Sequence, residues 1–281
     1  MQPTPSQRWS CTNLGPAYFF VHSRPLTQFD YTRIVWRFMA QDVIQQISQR
    51  LQESEHTLIA FPYAGDTKES GDALGSALAL YGYLQKLGKK ADLAASGFEA
   101  EGRLKFLPQA ALVQPQVSKP RQYTIRVKTN GAPLKDVRYG MQDGHLEIYL
   151  TPEHGELTAQ DLELRRGQYP YDTIITLDAP DLPALGKLFE EQAELFYNTP
   201  IINIDHHAEN EQYGQINQVD INAAATGEIV AGLLKQLGDH HIDEHIATNL
   251  FAAIFLKTQG FKNPAITPNT LKVAAELLQK G

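Results

Sequence analysis

The feature that most constrains the fold is a short apolar strand that ends at an acidic residue, with a helical pattern later in the chain. This unit occurs at residues 173–177, which precede Asp178, and again at residues 200–204, which precede Asp205. Apolar strands that alternate with helices are typical of a parallel sheet with helices on both faces. We therefore predict an α/β fold with three layers and a mostly parallel sheet.

The remaining elements of this domain follow from the same alternation of patterns. Two further buried strands are expected at residues 57–61 and 91–95. Apolar residues at helical spacing predict helices at 71–87, 182–196, 224–237, 242–257 and 268–279.

A stretch at about 115–170 departs from this rhythm. Its segments 137–139 and 145–150 alternate in polarity, and Asp143 and Gly144 lie between them. An Asp-Gly pair between alternating segments favours a tight hairpin turn. We expect a small antiparallel β insertion within the α/β domain.

The N-terminal part differs from the rest. Residues 1–38 carry four prolines and no clear hydrophobic period, whereas apolar residues at helical spacing follow Met39. We assign residues 39–281 to the α/β domain and treat residues 1–38 as a disordered extension. A start of the natural chain at Met39 would explain the same pattern.

Composition excludes several classes of protein. Lys and Arg number 25 against 32 Asp and Glu, a formal charge of −7, whereas general duplex-DNA binders need a basic surface. The apolar runs are too short to span a bilayer, so we expect no membrane contact. The single cysteine, Cys11, excludes an intramolecular disulfide and a thiolate zinc site, and we expect a reducing, cytoplasmic setting.

Acidic and imidazole side chains cluster where predicted strands end. Asp72 follows the first strand, Asp178 ends another, and Asp205, His206 and His207 end a third. Ligands in such sheets bind beyond the carboxyl ends of the strands, and carboxylate and imidazole groups suit Mn²⁺ or Mg²⁺. The alternative for an acidic residue at a strand end is a helix cap or turn residue.

Four segments resemble motifs of the DHH phosphoesterase superfamily. Residues 202–207 read Ile-Asn-Ile-Asp-His-His, residues 223–226 read Ala-Ala-Ala-Thr, and together they resemble the third motif. Residues 71–80 resemble the end of the first motif, residues 177–181 the second, and residues from 252 onwards the fourth. The resemblance is closest to the branch of nano-RNA degrading enzymes and adenosine 3′,5′-bisphosphate phosphatases.

The resemblance implies hydrolysis of phosphoester bonds with one or two Mn²⁺ or Mg²⁺ ions. The implied substrates are small nucleotides or short single-stranded oligonucleotides. The site residues assigned on this basis are the metal ligands Asp72, Asp178, His206 and Asp66, the catalytic residues His207, Asp205 and Lys257, and the substrate-binding residues Ser76, His207 and Asn210.

Two motifs depart from the family pattern. Counted without a gap, Ser70 stands at the first Asp of the family's first motif and Asp66 stands at its His; an insertion within residues 63–69 is the alternative, and Glu69 is a further candidate there. In the fourth motif the family's Asp-Thr-Gly reads Lys-Thr-Gln at residues 257–259. Lys257 is expected either to pair with Asp178 in place of one metal ion, or to extend into solvent from a helix end.

These departures favour an alternative function. The chain would be a catalytically impaired DHH-like protein that binds a nucleotide or a protein partner as a sensor or scaffold. The C-terminal substrate domain of the family is also expected to be absent, because the sequence stops at Gly281. In the β insertion, tyrosines interleave with basic residues, which favours a stacking surface for a single strand, a solvated sheet face or a homodimer contact.

Overall fold

The structure, a computed structural model, describes residues 20–21, 24–25, 42–65, 67–99, 103–117, 123–167 and 169–281. Contacts divide the chain into two compact units, residues 1–52 and 53–281. The described elements of the first unit include an antiparallel pair of strands, β1 (Phe20–Val21) and β2 (Arg24–Pro25). Helix α1 covers residues 42–53, as the pattern after Met39 predicts. The predicted disorder of residues 1–38 falls largely outside the described residues.

The second unit is built on a parallel sheet, which confirms the predicted α/β fold. Its strands are β3 (His56–Ala60), β4 (Lys90–Ala94), β5 (Val113–Gln114), β6 (Tyr123–Val127), β7 (Leu134–Gln142), β8 (His145–Pro152), β9 (Leu162–Arg166), β10 (Thr173–Leu177), β11 (Ile201–Asp205) and β12 (Ile216–Val219). Six of them form the sheet in the order β12-β11-β10-β3-β4-β5, and all five pairings are parallel.

Helices flank this sheet. They are α2 (Lys68–Lys86), α3 (Lys187–Glu190), α4 (Ala193–Asn198), α5 (Thr226–Gly238), α6 (Glu244–Lys257) and α7 (Pro268–Leu278). Helices α2 and α6 make a close contact at Gly75, where a Cβ would lie 2.6 Å from the carbonyl oxygen of Asn249. A glycine at this position therefore sets how near the two helices approach. Among the described residues, no helix is both long and apolar enough to cross a membrane.

The predicted single helix at residues 182–196 is wrong. A short 3₁₀ turn, α3 and α4 occupy this region, and Gly186 breaks the backbone with φ +59° and ψ −137°. Leu188 and Phe196 are nevertheless buried in the core cluster against the sheet. The apolar spacing predicted which side chains are buried, but it could not predict that the helix is interrupted.

The predicted β insertion is present as two antiparallel ribbons of two strands each. Strand β6 pairs with β9, and β7 pairs with β8. The turn between β7 and β8 has Asp143 at φ +50° and Gly144 at φ +78°, the left-handed pair that a two-residue hairpin requires. The ribbons lie between β5 and β10 in the chain and outside the six-stranded sheet.

The parallel order brings two acidic strand ends to one edge of the sheet. Strands β10 and β11 are neighbours, so Asp178, directly after β10, and Asp205, the last residue of β11, lie at the same carboxyl edge. This is the edge where α/β sheets bind their ligands.

Candidate metal-binding active site

Asp72 joins helix α2 to the start of helix α5. Its Oδ2 accepts a hydrogen bond from the backbone N–H of Thr226 at 2.8 Å, and its Oδ1 accepts one from Gly227 at 2.9 Å. These are the first two residues of α5, whose N–H groups have no partner within the helix. A Cβ on Gly227 would lie 2.7 Å from the Cβ of Ala253, so a glycine is needed for this close approach.

Asp178 is directed to the same helix start by an unusual backbone conformation. Its φ of +55° is uncommon for a residue other than glycine, although aspartate tolerates it better than most. Its N–H donates to the carbonyl of Ile204 at 3.1 Å, which ties β10 to β11. Its Oδ1 accepts a hydrogen bond from Thr226 Oγ1 at 2.8 Å. Thr226 thus contacts both carboxylates, one with its amide and one with its hydroxyl.

His206 places a ring nitrogen beside these carboxylates. Its Nδ1 lies 3.3 Å from the carbonyl oxygen of Ala223, an acceptor that fixes the proton on Nδ1. The Nε2 atom, left with its lone pair, is buried without a hydrogen-bond partner among the described residues. It lies 3.4 Å from Asp178 Oδ1 and 3.9 Å from Asp72 Oδ2. A histidine that donates from one nitrogen to a carbonyl and offers the other is arranged as a metal ligand.

His207 is held by a carboxylate and an amide. Its Nδ1 lies 2.7 Å from Asp205 Oδ1, and Asn210 Nδ2 donates to Asp205 Oδ2 at 2.7 Å. Burial acts against the charged form, but the bonds from His207 and Asn210 hold the pKa of Asp205 below its usual value. The bond to Asp205 raises the pKa of His207. The imidazole is therefore fixed in orientation and biased towards its protonated form.

Lys257, the last residue of α6, faces the carboxylates. Its Nζ lies 3.7 Å from Asp178 Oδ1, and only 17% of the side chain is exposed. Of the two orientations that the sequence allows, the structure has the one directed at Asp178. Burial and the neighbouring charge of Asp178 raise the pKa of Asp72 to about 7, while Lys257 and His206 oppose that shift.

Two predicted substrate-binding residues lie behind the reactive groups. Ser76 is fully buried one turn after Asp72, and its Oγ lies 3.4 Å from Asp72 Oδ1. In this structure its contact is with Asp72, and its role in substrate binding stays a prediction. Asn210 contacts Asp205 and the carbonyl of Ala179.

The first-motif region is described only in part. The hydroxyl of Ser70 accepts from the N–H of Ala64 at 3.1 Å and lies 3.1 Å from Thr67 Oγ1, at the start of α2. It therefore organises the loop before the helix. Asp66, the further predicted metal ligand, lies outside the described residues.

Sequence reasoning missed two residues that build the site. Thr226 carries the bonds to Asp72 and Asp178 described above. Glu228, also buried, accepts from the N–H of Ala224 at 3.2 Å and from the hydroxyl of Thr270 at 2.9 Å. It thereby fixes the loop whose Ala223 carbonyl orients His206. Thr226 stands in the segment that resembles the third motif, but no role was assigned to it, and the only signal for Glu228 was its place in the first turn of a predicted helix.

The donor set fits a divalent cation of the Mn²⁺ or Mg²⁺ class. One ligand atom from each of Asp178, His206 and His207 lies within 4.8 Å of the others, and Asp72 Oδ2 lies 3.9 Å from His206 Nε2. Because Asp205 holds His207 and raises its pKa, the groups suited to an ion are those of Asp72, Asp178 and His206. Carboxylate oxygen and imidazole nitrogen are ligands that such ions accept. The observation that favours an ion here is the buried Nε2 of His206, which makes no hydrogen bond among the described residues and faces the carboxylate oxygens of Asp178 and Asp72. A cation would satisfy the nitrogen and both carboxylates.

Comparison with known proteins gives one match to a protein family. The model of the DHH family, N-terminal domain, matches residues 63–254. A bifunctional oligoribonuclease and PAP phosphatase, NrnA, from Thermus thermophilus is 42% identical over 81 residues, 29% of this chain and 25% of that protein. The uncharacterized protein MG371 of Mycoplasma genitalium is 34% identical over 80 residues, 28% of this chain and 24% of that protein.

A solved structure shares the fold. An exopolyphosphatase-related protein from Bacteroides fragilis superposes with a TM-score of 0.60 at 18% identity, over 86% of this chain and 57% of that chain. The matched segment spans about a quarter of the length of the curated relatives named above.

Proposed function

The chain belongs to the DHH family, and from that premise we propose that it is a metal-dependent phosphoesterase that acts on short oligonucleotides or small nucleotides. The observation that carries the proposal is the buried Nε2 of His206, which lacks a hydrogen-bond partner and lies between the carboxylates of Asp72 and Asp178. The name of the Thermus thermophilus relative, an oligoribonuclease and PAP phosphatase, supports this substrate class.

Asp72, Asp178 and His206 would hold one Mn²⁺ or Mg²⁺ ion. Such an ion supplies a water of lowered pKa and neutralises charge on the phosphate. Asp66 stays a prediction from sequence for a further ligand, and a second ion depends on it. Thr226 and Glu228 keep the ligands in place, the first through Asp178 and the second through the loop that orients His206.

His207 and Lys257 supply positive charge to the phosphate. Asp205 holds one ring nitrogen of His207, so the other is free to donate a hydrogen bond to a phosphate oxygen. The ammonium of Lys257 stands beside Asp178, where it can bind an oxygen of the same phosphate. Asn210 acts through Asp205, and Ser76 acts through Asp72.

The test compares two histidine variants in two measurements. Mn²⁺ binding is measured by calorimetry, and Mn²⁺-dependent hydrolysis is measured on a short oligoribonucleotide and on adenosine 3′,5′-bisphosphate. His206→Ala should lose Mn²⁺ binding at this site and reduce hydrolysis by more than the ~10–100-fold that is typical of residues acting through a ligand. The matched control, His145→Ala, removes an exposed histidine of the insertion and should change neither value.

Two outcomes would overturn the proposal. A His206→Ala protein that binds Mn²⁺ and hydrolyses substrate like the wild type would exclude His206 as a ligand. A wild-type protein that binds the nucleotides but hydrolyses none of them would replace hydrolysis by the sensor or scaffold function.

A further inference from the structure

The ribbon β7–β8 has three successive cross-strand pairs on one face that are all apolar. Its register sets Val137 opposite Leu150, Tyr139 opposite Ile148, and Met141 opposite Leu146. Side chains of directly opposite residues lie on the same face of a sheet, and every second residue along a strand shares that face. The six residues of these three pairs, called here the apolar face, therefore form one continuous surface.

Most of the apolar face is open to solvent in the single chain. Tyr139 is 81% exposed, Met141 73%, Leu146 58% and Val137 55%. We estimate about 500 Å² of exposed apolar side chain, which is within the range of the largest patch on a typical monomer and often marks an interaction site. A hairpin of two strands is also only marginally stable in water without a partner for its hydrophobic face.

The second ribbon of the insertion repeats the pattern. Strands β6 and β9 set Ile125 opposite Leu164 and Val127 opposite Leu162. Leu164 is 69% exposed, and Ile125 and Leu162 are about half exposed. Two neighbouring segments of the chain thus expose apolar residues on paired strands.

The distribution of charge identifies the chemistry of what covers the apolar face. Arg138 lies opposite Tyr149, on the other face of the ribbon, and pairs with Asp136 at 2.7 Å. Tyr139 has only aliphatic and methionine neighbours on its own face. A nucleic acid strand needs cations beside the stacking rings, and this face has none. Its chemistry therefore favours a protein surface over a nucleic acid strand.

We propose that the apolar face packs against the same face of a second copy of this chain about a two-fold axis. The six residues of the apolar face carry no charge, so their self-association brings no like charges together within the six in a chain whose net charge is −7. The central pair, Tyr139 with Ile148, has an aliphatic or methionine pair on each side. When the two copies stack in opposite directions, the central pair of one copy packs on the central pair of the other. The pair of Val137 and Leu150 in each copy then packs on the pair of Met141 and Leu146 in the other, as an isologous contact requires.

The available area agrees with a dimer. Two copies of the apolar face bury about 1,000 Å² in total, which is the lower limit for a specific interface. This inference concerns the insertion alone and does not rest on the proposed function.

The test measures association of two variants that differ only in the face they alter. Tyr139→Lys adds a charge to the apolar face, and the matched control, Tyr149→Lys, adds the same charge to the opposite face. Both tyrosines are exposed in the monomer, so both variants should fold, and circular dichroism checks this. Sedimentation equilibrium is run on the full chain at protein concentrations from about 1 to 100 µM. This range covers the dissociation constants expected for a small interface.

We expect the wild type and Tyr149→Lys to dimerise, and Tyr139→Lys to raise the dissociation constant at least tenfold. A wild type that stays monomeric over this range would overturn the proposal. So would a Tyr139→Lys protein that dimerises like the wild type, or a Tyr149→Lys protein that dissociates to the same extent. If Tyr139→Lys is unfolded, Met141→Lys on the same face takes its place.

Discussion

The carboxyl edge of the sheet and the β insertion place polar and apolar groups in opposite environments. At the sheet edge, Asp72 and Asp205 are fully buried, whereas in the insertion Tyr139 and Met141 are among the most exposed side chains. Strand β10 lies between two parallel neighbours, while β7 pairs with β8 alone. The comparison teaches that the elements around a strand, and not its apolar content, decide whether its side chains reach a core.

The two regions also differ in how their polar groups are satisfied. At the sheet edge the buried carboxylates accept hydrogen bonds from main-chain and side-chain donors, and the orphaned atom is one ring nitrogen of His206. In the insertion the charged side chains are hydrated. Loss of a hydrogen-bonding group should therefore lower the free energy of unfolding at the sheet edge and leave it nearly unchanged in a ribbon. Loss of an apolar side chain should also lower it more at the sheet edge than in a ribbon.

The largest contrast is expected for leucine. Leu58→Ala in β3 opens a cavity in the core cluster and should lower the free energy of unfolding by about 2–5 kcal/mol. Leu164→Ala in β9 removes a side chain that is 69% exposed and should change it by no more than about 0.5 kcal/mol. Urea denaturation is measured at a concentration at which the chain is monomeric. Equal losses would show that the ribbon has a core of its own.

A smaller contrast is expected for threonine. Thr226→Val keeps the shape of the side chain but removes the hydroxyl that donates to Asp178, and should cost about 1–3 kcal/mol. The matched change in a ribbon, Thr124→Val, affects an exposed side chain and should be close to neutral. Chemical denaturation with a metal chelator present gives both values. No loss in Thr226→Val would mean that Asp178 does not need this donor.

The third contrast is a slope with pH and not a single difference in free energy. Asp72 holds its proton up to about pH 7 in the folded protein, whereas the unfolded chain releases it near 3.8. The folded state therefore binds more protons between these values, so the free energy of unfolding falls as pH rises, by at most about 1.4 kcal/mol per unit.

Unfolding of the metal-free protein is measured from pH 4 to pH 7. Asp72→Asn should remove this part of the slope, and Asp136→Asn in β7 should retain it. If Asp72→Asn keeps the slope of the wild type, the proton is held elsewhere.

Two strands and their carboxyl ends were predictable because each apolar run stops at an acidic residue. That relation gave β10 and β11 and the edge at which Asp178 and Asp205 lie. Helical spacing was less reliable at 182–196, because the conformation of Gly186 depends on how the segment packs. The parallel strand β12 was not predicted, because it has two apolar residues in four and only one neighbour.

The site was predictable in its residue types and only partly in its contacts. The strand-end positions and the family resemblance indicated that Asp72, Asp178 and His206 meet, but they left two orientations open for Lys257, and only the packed structure shows its Nζ 3.7 Å from Asp178. The bond from Thr226 to Asp178 joins residues 48 positions apart, which no local pattern encodes. The alternation of polar and apolar residues predicted the hairpin, but it could not predict that no other described part of the chain packs against the apolar face.

The bonds from Thr226 and Gly227 to Asp72 have a spectroscopic consequence. Both amide protons lie on the oxygens of one buried carboxylate, so any change in the charge on that carboxylate alters their electronic environment. The resonances of these two amides therefore form a built-in reporter on the candidate site. Their chemical shifts change when Asp72 binds a proton or a cation, so binding at the site can be followed without a known substrate. Binding is thereby measured separately from hydrolysis.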